Sequence, residues 1–351
     1  MLLVHTFVLM TANRNSPVAV WLLTGVAMIM IQVLLGGITR LTGSGLSITE
    51  WKPLLGAIPP MNDAEWAKAF EQYKQIGQFK HINFDFTLSD FKFIYFWEWF
   101  HRQWARLMGL VFAVGFLYFL FRRQFRKAMI LPMILLFLLG GLQGAIGWIM
   151  VKSGLNDNDV HVNHIRLAIH FVTALALLVY VFWFALGFLI DDRKKMYAPA
   201  LKYFTLTLLS LLTVQLFYGA FMAGIKAANF APTWPDINGT LMPSALSFKN
   251  GHAYNDPITI QFIHRMMGYT IFLLTVLWWW MALRSYSTPL IRKTRNIPLL
   301  LVSMQVILGI LSLVYSPDKH LLLWFGVMHQ FVAMLLLLSF VWFVFLFRKK
   351  G

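Results

Sequence analysis

Eight long apolar runs decide what this chain can become. They lie at roughly 18–38, 93–120, 129–151, 164–190, 200–222, 258–283, 297–315 and 321–347. A helix needs about 20 mainly apolar residues to cross the hydrocarbon core of a bilayer, and each run supplies them. Soluble domains average about 25% charged residues, whereas this chain carries 13% charged and 59% hydrophobic residues. So little polar surface cannot cover a soluble fold. The expected fold is therefore an all-α integral membrane protein with eight transmembrane helices. Disorder, a secreted disulfide scaffold and nucleic-acid binding are excluded. The net charge of +16 comes from short basic clusters between the runs, the pattern of a protein facing anionic lipid. There is no cysteine, which removes disulfides, thiolate zinc sites and iron–sulfur clusters within the chain. A short apolar start and Arg14 precede the run from Pro17. No small-residue cleavage site stands out, so this run reads as a retained helix, and no Arg- and Ser-rich transit segment is seen.

The short connections set the direction. Arg122, Arg123, Arg126 and Lys127 join spans 2 and 3; Arg193, Lys194 and Lys195 join spans 4 and 5. Arg284, Arg292, Lys293 and Arg295 join spans 6 and 7, and Arg348, Lys349 and Lys350 close the chain. All fall on one side, which the positive-inside rule makes cytoplasmic. Both termini are then inside, and two long connections, about 39–92 and 223–257, lie outside. In the first, Asn62 and Glu65 form a candidate capping box. Trp66, Phe70 and Tyr73 follow at helical spacing, which predicts a short amphipathic helix on the outer membrane surface. The second, rich in Pro, Asn and Gly, reads as an ordered lid or an irregular loop.

An internal repeat organises the spans. Gln32 and Gly36, Gln143 and Gly147, Gln215 and Gly219, and Gln305 and Gly309 each form Gln-x-x-x-Gly in an odd-numbered span. Each even-numbered span carries one deep histidine: His101, His170, His264 and His329. The chain thus reads as four helical hairpins. Glu98, His101-Arg102 and Met108-Gly109 in span 2 correspond to Gln261, His264-Arg265 and Met267-Gly268 in span 6. His161 and His320 each precede the deep histidine of their span by nine residues. Two pseudo-symmetric four-helix bundles follow, near 1–196 and 197–351. Gln-x-x-x-Gly fits close helix packing with an interhelical hydrogen bond, or a seat for a flat ligand. One intramembrane histidine fits a satisfied packing residue; four at equivalent positions point to ligands.

Neutral imidazole binds zinc, copper, iron or haem iron. A di-iron carboxylate bundle needs about four carboxylates, and of the 14 acidic residues only Glu98 lies well inside a span. Zinc ordinarily takes three or four protein ligands. Two bis-histidine haem sites fit best, His101 with His170 and His264 with His329, with pairing across the halves left open. Arg102 and Arg265 sit beside two of these histidines and suit either haem propionates or interfacial anchoring. Glu98 and His101 lie one turn apart on one helix face, while Gln261 holds the matching place before His264. A carboxylate at low dielectric acts as acid, base or stabiliser of positive charge, and an amide does not. The N-terminal half is thereby equipped for chemistry and the C-terminal half for holding a haem that moves electrons.

At this point the sequence resembles the haem A synthase family of bacteria and mitochondria. The resembling segments are Gly36 to Pro53, reading GGITRLTGSGLSITEWKP, then Pro59-Pro60, Glu98-Trp-Phe-His-Arg102 with Arg106-Leu-Met-Gly109, Arg166-Leu-Ala-Ile-His170, Gln261-Phe-Ile-His-Arg265 and His329-Gln330. The first is highly specific and the last weak alone; together they span nearly the whole chain. The resemblance implies oxidation of the C8 methyl of haem O to the formyl group of haem A for cytochrome oxidase. It implies that His101 and His170 flank the substrate haem, that His264 and His329 ligate a haem b, and that Glu98 matches the family's essential glutamate. It also implies haem O synthase as upstream donor, membrane lipid as surroundings, an electron acceptor or donor of unassigned identity, and a bacterial inner-membrane location; a homo-oligomer stays open. Some members carry a cysteine pair in the outer loops, which this chain lacks, so its electron route departs from theirs. Two other classes compete. A di-haem quinol-type electron carrier needs no asymmetry between Glu98 and Gln261, and a transporter would hold no haem.

Overall fold

The structure is a computed structural model that describes residues 16–51, 55–125, 127–249 and 251–348. The apolar start with Arg14, Lys52 and Pro53 of the long motif, and the basic residues Arg126, Lys349 and Lys350 lie outside the described residues. Twelve α-helices follow one another. They are α1 (Ser16–Leu41), α2 (Asp63–Tyr73), α3 (Gly77–His81), α4 (Leu88–Phe121), α5 (Lys127–Lys152) and α6 (His164–Leu189), then α7 (Pro199–Gly224), α8 (His252–Asn255), α9 (Pro257–Arg284), α10 (Pro289–Thr294), α11 (Ile297–Val314) and α12 (Lys319–Leu346). Among the described residues there is no β-strand beyond an isolated bridge between Ile237 and Thr240. Among the described residues, eight helical stretches are long and apolar enough to cross a membrane: α1, α4, α5, α6, α7, α9, α10 with α11, and α12.

The even-numbered spans begin on side-chain caps. The Thr87 hydroxyl accepts from Asp90 N–H at the start of α4, Asn163 from Ile165 and Arg166 before α6, Asp256 from Thr259 before α9, and Asp318 from His320 and Leu321 before α12. These caps satisfy amides that would otherwise be left unpaired at the helix start. Span 2 therefore begins at Leu88, earlier than its apolar run predicts, because Thr87 and Asp90 form a reciprocal capping box. Span 7 is longer than expected too. Thr288 caps a short helix from Pro289, which carries Arg292 and Lys293 into the run that follows.

The helices pack in two rings. In the first, α1 touches α4, α4 touches α5, α5 touches α6, and α6 returns to α1. In the second, α7 touches α9, α9 touches α11, α11 touches α12, and α12 returns to α7. The rings meet where α1 and α6 face α7 and α12. The apolar core is densest at that seam, toward the C-terminal end of α12, where Phe340, Phe343 and Phe347 pack with Trp278, Leu178 and Leu186. Helices α4 and α5 stand outermost and present Leu110, Val114, Phe121, Leu131, Phe137 and Leu138 outward. Such surface is stable only against lipid.

The helix expected after Asn62 is α2. Half of the expected capping box forms: the Asn62 side chain accepts from Glu65 N–H, while the Glu65 carboxylate accepts from Met61 N–H rather than from Asn62 N–H. Its aromatic face does not lie on lipid. Phe70 and Tyr73 are buried and, with Trp66, pack against Phe91, Ile94 and Tyr95 of α4 and Phe79 of α3. An amphipathic pattern reports one apolar face and not what covers it; here protein covers it.

Candidate functional site

Each deep histidine sits in a notch made by the glycine of a Gln-x-x-x-Gly pair. A Cβ built on Gly36 would stand 3.3 Å from His101 Nε2, and one on Gly147 would stand 2.8 Å from His170 Cε1. On Gly219 it would stand 3.3 Å from His264 Cε1, and on Gly309 it would stand 3.0 Å from His329 Cε1. The repeat is therefore a packing device whose partner is the imidazole itself. The glutamines complete it in three of the hairpins. Gln143 Nε2 donates to the His170 carbonyl at 2.7 Å and lies 3.1 Å from its Nδ1, with its own oxygen held by the Thr173 hydroxyl. Gln215 Nε2 donates to the His264 carbonyl at 2.9 Å. His329 Nδ1 lies 3.0 Å from the Gln305 carbonyl, and Gln305 Nε2 lies 3.1 Å from His329 Nε2. In the first hairpin Gln32 Oε1 is buried without a hydrogen-bond partner.

In the second ring the histidines face one another, with the His264 and His329 ring centroids 6.5 Å apart; in the first, His101 on α4 and His170 on α6 stand against the notches of Gly36 and Gly147. An iron about 2 Å from each of two imidazole nitrogens, with each centroid ~1.1 Å further back, needs centroids roughly 6 Å apart. The C-terminal pair meets that spacing. Buried polar atoms left unsatisfied beside it, His264 Nδ1, Gln215 Oε1 and Gln305 Oε1, belong to a site that gains partners on binding a ligand. Among the described residues no group of three or more His, Asp or Glu side chains gathers to hold a metal ion. Paired imidazoles without a third ligand suit the two axial positions of a haem.

Glu98 is 3% exposed and its carboxylate is fully engaged. It accepts from the Ser47 hydroxyl at 2.7 Å and Ile48 N–H at 2.9 Å, and pairs with Arg102 at 2.6 Å. Arg102 donates onward to the Ile48 carbonyl at 3.2 Å and the Glu50 carbonyl at 3.4 Å. The second ring repeats this clamp with different chemistry. Arg265 donates to Gln261 Oε1, Asp236 O, Ala231 O and Thr233 O, and Gln261 Nε2 donates to the Ala227 carbonyl. Both arginines thus tie a long connecting loop to the helix that bears a deep histidine, and Arg265 Nε remains buried without a partner. In the second long connection, Ala231, Thr233 and Asp236 turn their carbonyls onto Arg265.

Ser47 and Ile48 are partners of Glu98 that the sequence does not announce, since they lie 51 and 50 positions away. His164 and His320 stand at the N-terminal ends of α6 and α12, and His161 lies just before α6. His164 Nε2 lies 2.8 Å from the Tyr254 carbonyl across the seam, and His320 accepts from Trp324 Nε1. His161 lines a cleft with Lys152, Asn156 and Arg166. Burial, then the cations of Lys226 and Arg40, push its pKa down to about 4, so it is neutral at physiological pH.

Residues 19–341 match the model of a family described as cytochrome oxidase assembly protein (COX15-CtaA). The chain is similar to the haem A synthase of Bradyrhizobium diazoefficiens, 41% identical over 90% of this chain and 88% of the relative. It is 37% identical to the haem A synthase of Flavobacterium psychrophilum over 93% and 96% of the two chains. Against that of Paracoccus denitrificans it is 40% identical over 89% and 84%.

Proposed function

The chain belongs to the COX15-CtaA family of cytochrome oxidase assembly proteins, and from that premise we propose how its two rings divide the work of a haem A synthase. The enzyme is an oxidoreductase that converts haem O to haem A. The N-terminal half, 1–196, is the reaction half. His101 and His170 hold the substrate haem O between α4 and α6, and Glu98 is the residue of chemistry. The C-terminal half, 197–351, holds a resident haem b on His264 and His329. The observation that carries this division is the unequal clamp, a carboxylate at Glu98 against an amide at Gln261.

Haem b, when bound, supplies a one-electron redox centre. Arg265 Nε, the buried donor without a partner, is the group we assign to a propionate oxygen of that haem. Arg102 and Arg265 otherwise keep the outer loops closed over the histidines, which limits entry of water.

In the reaction half, the C8 methyl of haem O gives two electrons to an external oxidant and two protons to solvent as water adds, giving an alcohol. A second such oxidation gives a geminal diol, which loses water to leave the formyl group. Positive charge develops on the carbon as it is oxidised. The Glu98 carboxylate, held at low dielectric, stabilises that charge or accepts the proton released as water adds. We assign the protein to the bacterial inner membrane with both termini cytoplasmic, since the basic clusters share one side. Haem O synthase is the upstream donor, and the external oxidant takes four electrons over the two oxidations. The test is expression in cells that make haem O but no haem A. Formyl-bearing haem in the membrane extract, by mass spectrometry, is the expected result. Unchanged haem O in cells holding the inserted protein would overturn it.

A further inference from the structure

A polar contact beside His329 joins the two rings. Gln330 follows His329 on α12, and its Nε2 donates to the Val33 carbonyl of α1 at 2.9 Å. Its amide oxygen occupies the space that a Cβ on Gly37 would take, so a side chain there would displace the Gln330 amide. The neighbouring Gly36 is the notch for His101. A continuous chain of bonds and contacts therefore runs from His329 through the Gln330 amide and the α1 backbone to His101.

The repeat does not by itself require either residue. The residue after His170 is Phe171, and those after His101 and His264 are arginines. The residue after the notch glycine is Trp148, Ala220 or Ile310 in the other hairpins, and only α1 has a second glycine there. Gln330 and Gly37 thus depart from the pattern together, at the one place where they meet. The amide is partly buried and adds a second donor to a carbonyl already inside the α1 ladder, so removing it takes away the cross-ring bond and leaves the helix intact.

We infer that Gln330 is a positioning residue that couples the two histidine sites and carries electron exchange between them. The inference rests on the reading that both pairs hold haem. One electron passes, so one centre is oxidised by one electron and the other reduced by one. No bond is made or broken, and no proton travels through Gln330, because an amide does not titrate.

The test uses the full-length protein in nanodiscs, loaded with haem O, with Gln330→Leu, Gln330→Asn and Gly37→Ala compared to wild type. Haem count, the low-spin spectrum, thermal midpoint and the rate of electron equilibration after flash reduction are read on each. Expected are two haems and a wild-type low-spin spectrum in every variant, since the contact of His329 with the Gln305 carbonyl is untouched, and equilibration slowed by about tenfold. Gln330→Asn keeps the amide but withdraws it from Val33, so it reports even where the leucine variant folds poorly. Wild-type equilibration with both haems bound would overturn the bridge, and so would a lowered thermal midpoint with the rate unchanged. A single haem in the wild-type protein would instead overturn the two-site reading, and the inference with it; the haem count separates the two failures.

Discussion

Glu98→Gln is the sharpest perturbation of the reaction half, and the surroundings of Glu98 fix what it does. Three donors converge on the carboxylate: the Ser47 hydroxyl, Ile48 N–H and the Arg102 guanidinium. A glutamine offers one oxygen and one NH2, so at least one of the three must face another donor. Position 261 tolerates its amide because the loop there presents the Ala227 carbonyl; the loop at Glu98 presents an N–H and an O–H. The substitution therefore removes a charge-assisted bond of about 1.5–3 kcal/mol as well as the charge and the proton-accepting group. Loss of a proton-transfer group costs about 100–10,000-fold in rate. Ser47→Ala separates the two contributions. It deletes a neutral hydrogen bond of about 0.5–1.5 kcal/mol and leaves the carboxylate in place, so activity falls by no more than about tenfold. The assay is extraction of haems from membranes of matched protein content, with chromatography of haem O, the alcohol and haem A. Glu98→Gln is expected to insert, retain haem and accumulate haem O or the alcohol. Haem A at wild-type levels in Glu98→Gln, or a loss in Ser47→Ala as deep as in Glu98→Gln, would leave Glu98 only the clamp.

Gly309→Ala puts a Cβ 3.0 Å from the His329 ring and is expected to lower the haem b content seen by pyridine haemochrome, while Gly140→Ala, where nothing lies within 4 Å, leaves it unchanged. Gly77→Ala brings a Cβ within 2.7 Å of the Asp157 carbonyl and 2.8 Å of the Asp159 carbonyl. The docking of α3 then weakens by about 1–3 kcal/mol, measurable as a lower thermal midpoint. A reporter fused after Lys80 is expected to be active only in an outer compartment, and cytoplasmic activity would reverse the orientation of every span.

The eight spans were legible because apolar runs of that length have few alternatives in water or lipid. The histidines and the Gln-x-x-x-Gly pairs were legible because they repeat. Their meaning was not: a helix-packing motif does not say whether the neighbour is a backbone, an imidazole or a ligand, and only the geometry shows Gly147 and Gly309 against imidazoles. The start of α4 was hidden because the Thr87 and Asp90 cap lies ahead of the apolar run. Contacts between distant segments were invisible. Ser47 meets Glu98 across 51 positions and Gln330 meets Val33 across 297, and no local pattern encodes such pairs. The sequence offers Arg102 and Arg265 as propionate partners or interfacial anchors; it does not show that both also donate to loop carbonyls, a use that depends on where the loops fold back.

The unequal roles of the two histidine pairs are tested most directly by haem analysis of four purified variants, His101→Ala, His170→Ala, His264→Ala and His329→Ala. Pyridine haemochrome and mass spectrometry identify what each retains. The C-terminal variants are expected to lose the low-spin haem b while still inserting in the membrane. The N-terminal variants are expected to keep it and to make no haem A. Haem b lost from His101→Ala or His170→Ala, or kept at wild-type levels in His264→Ala and His329→Ala, would contradict the division of labour.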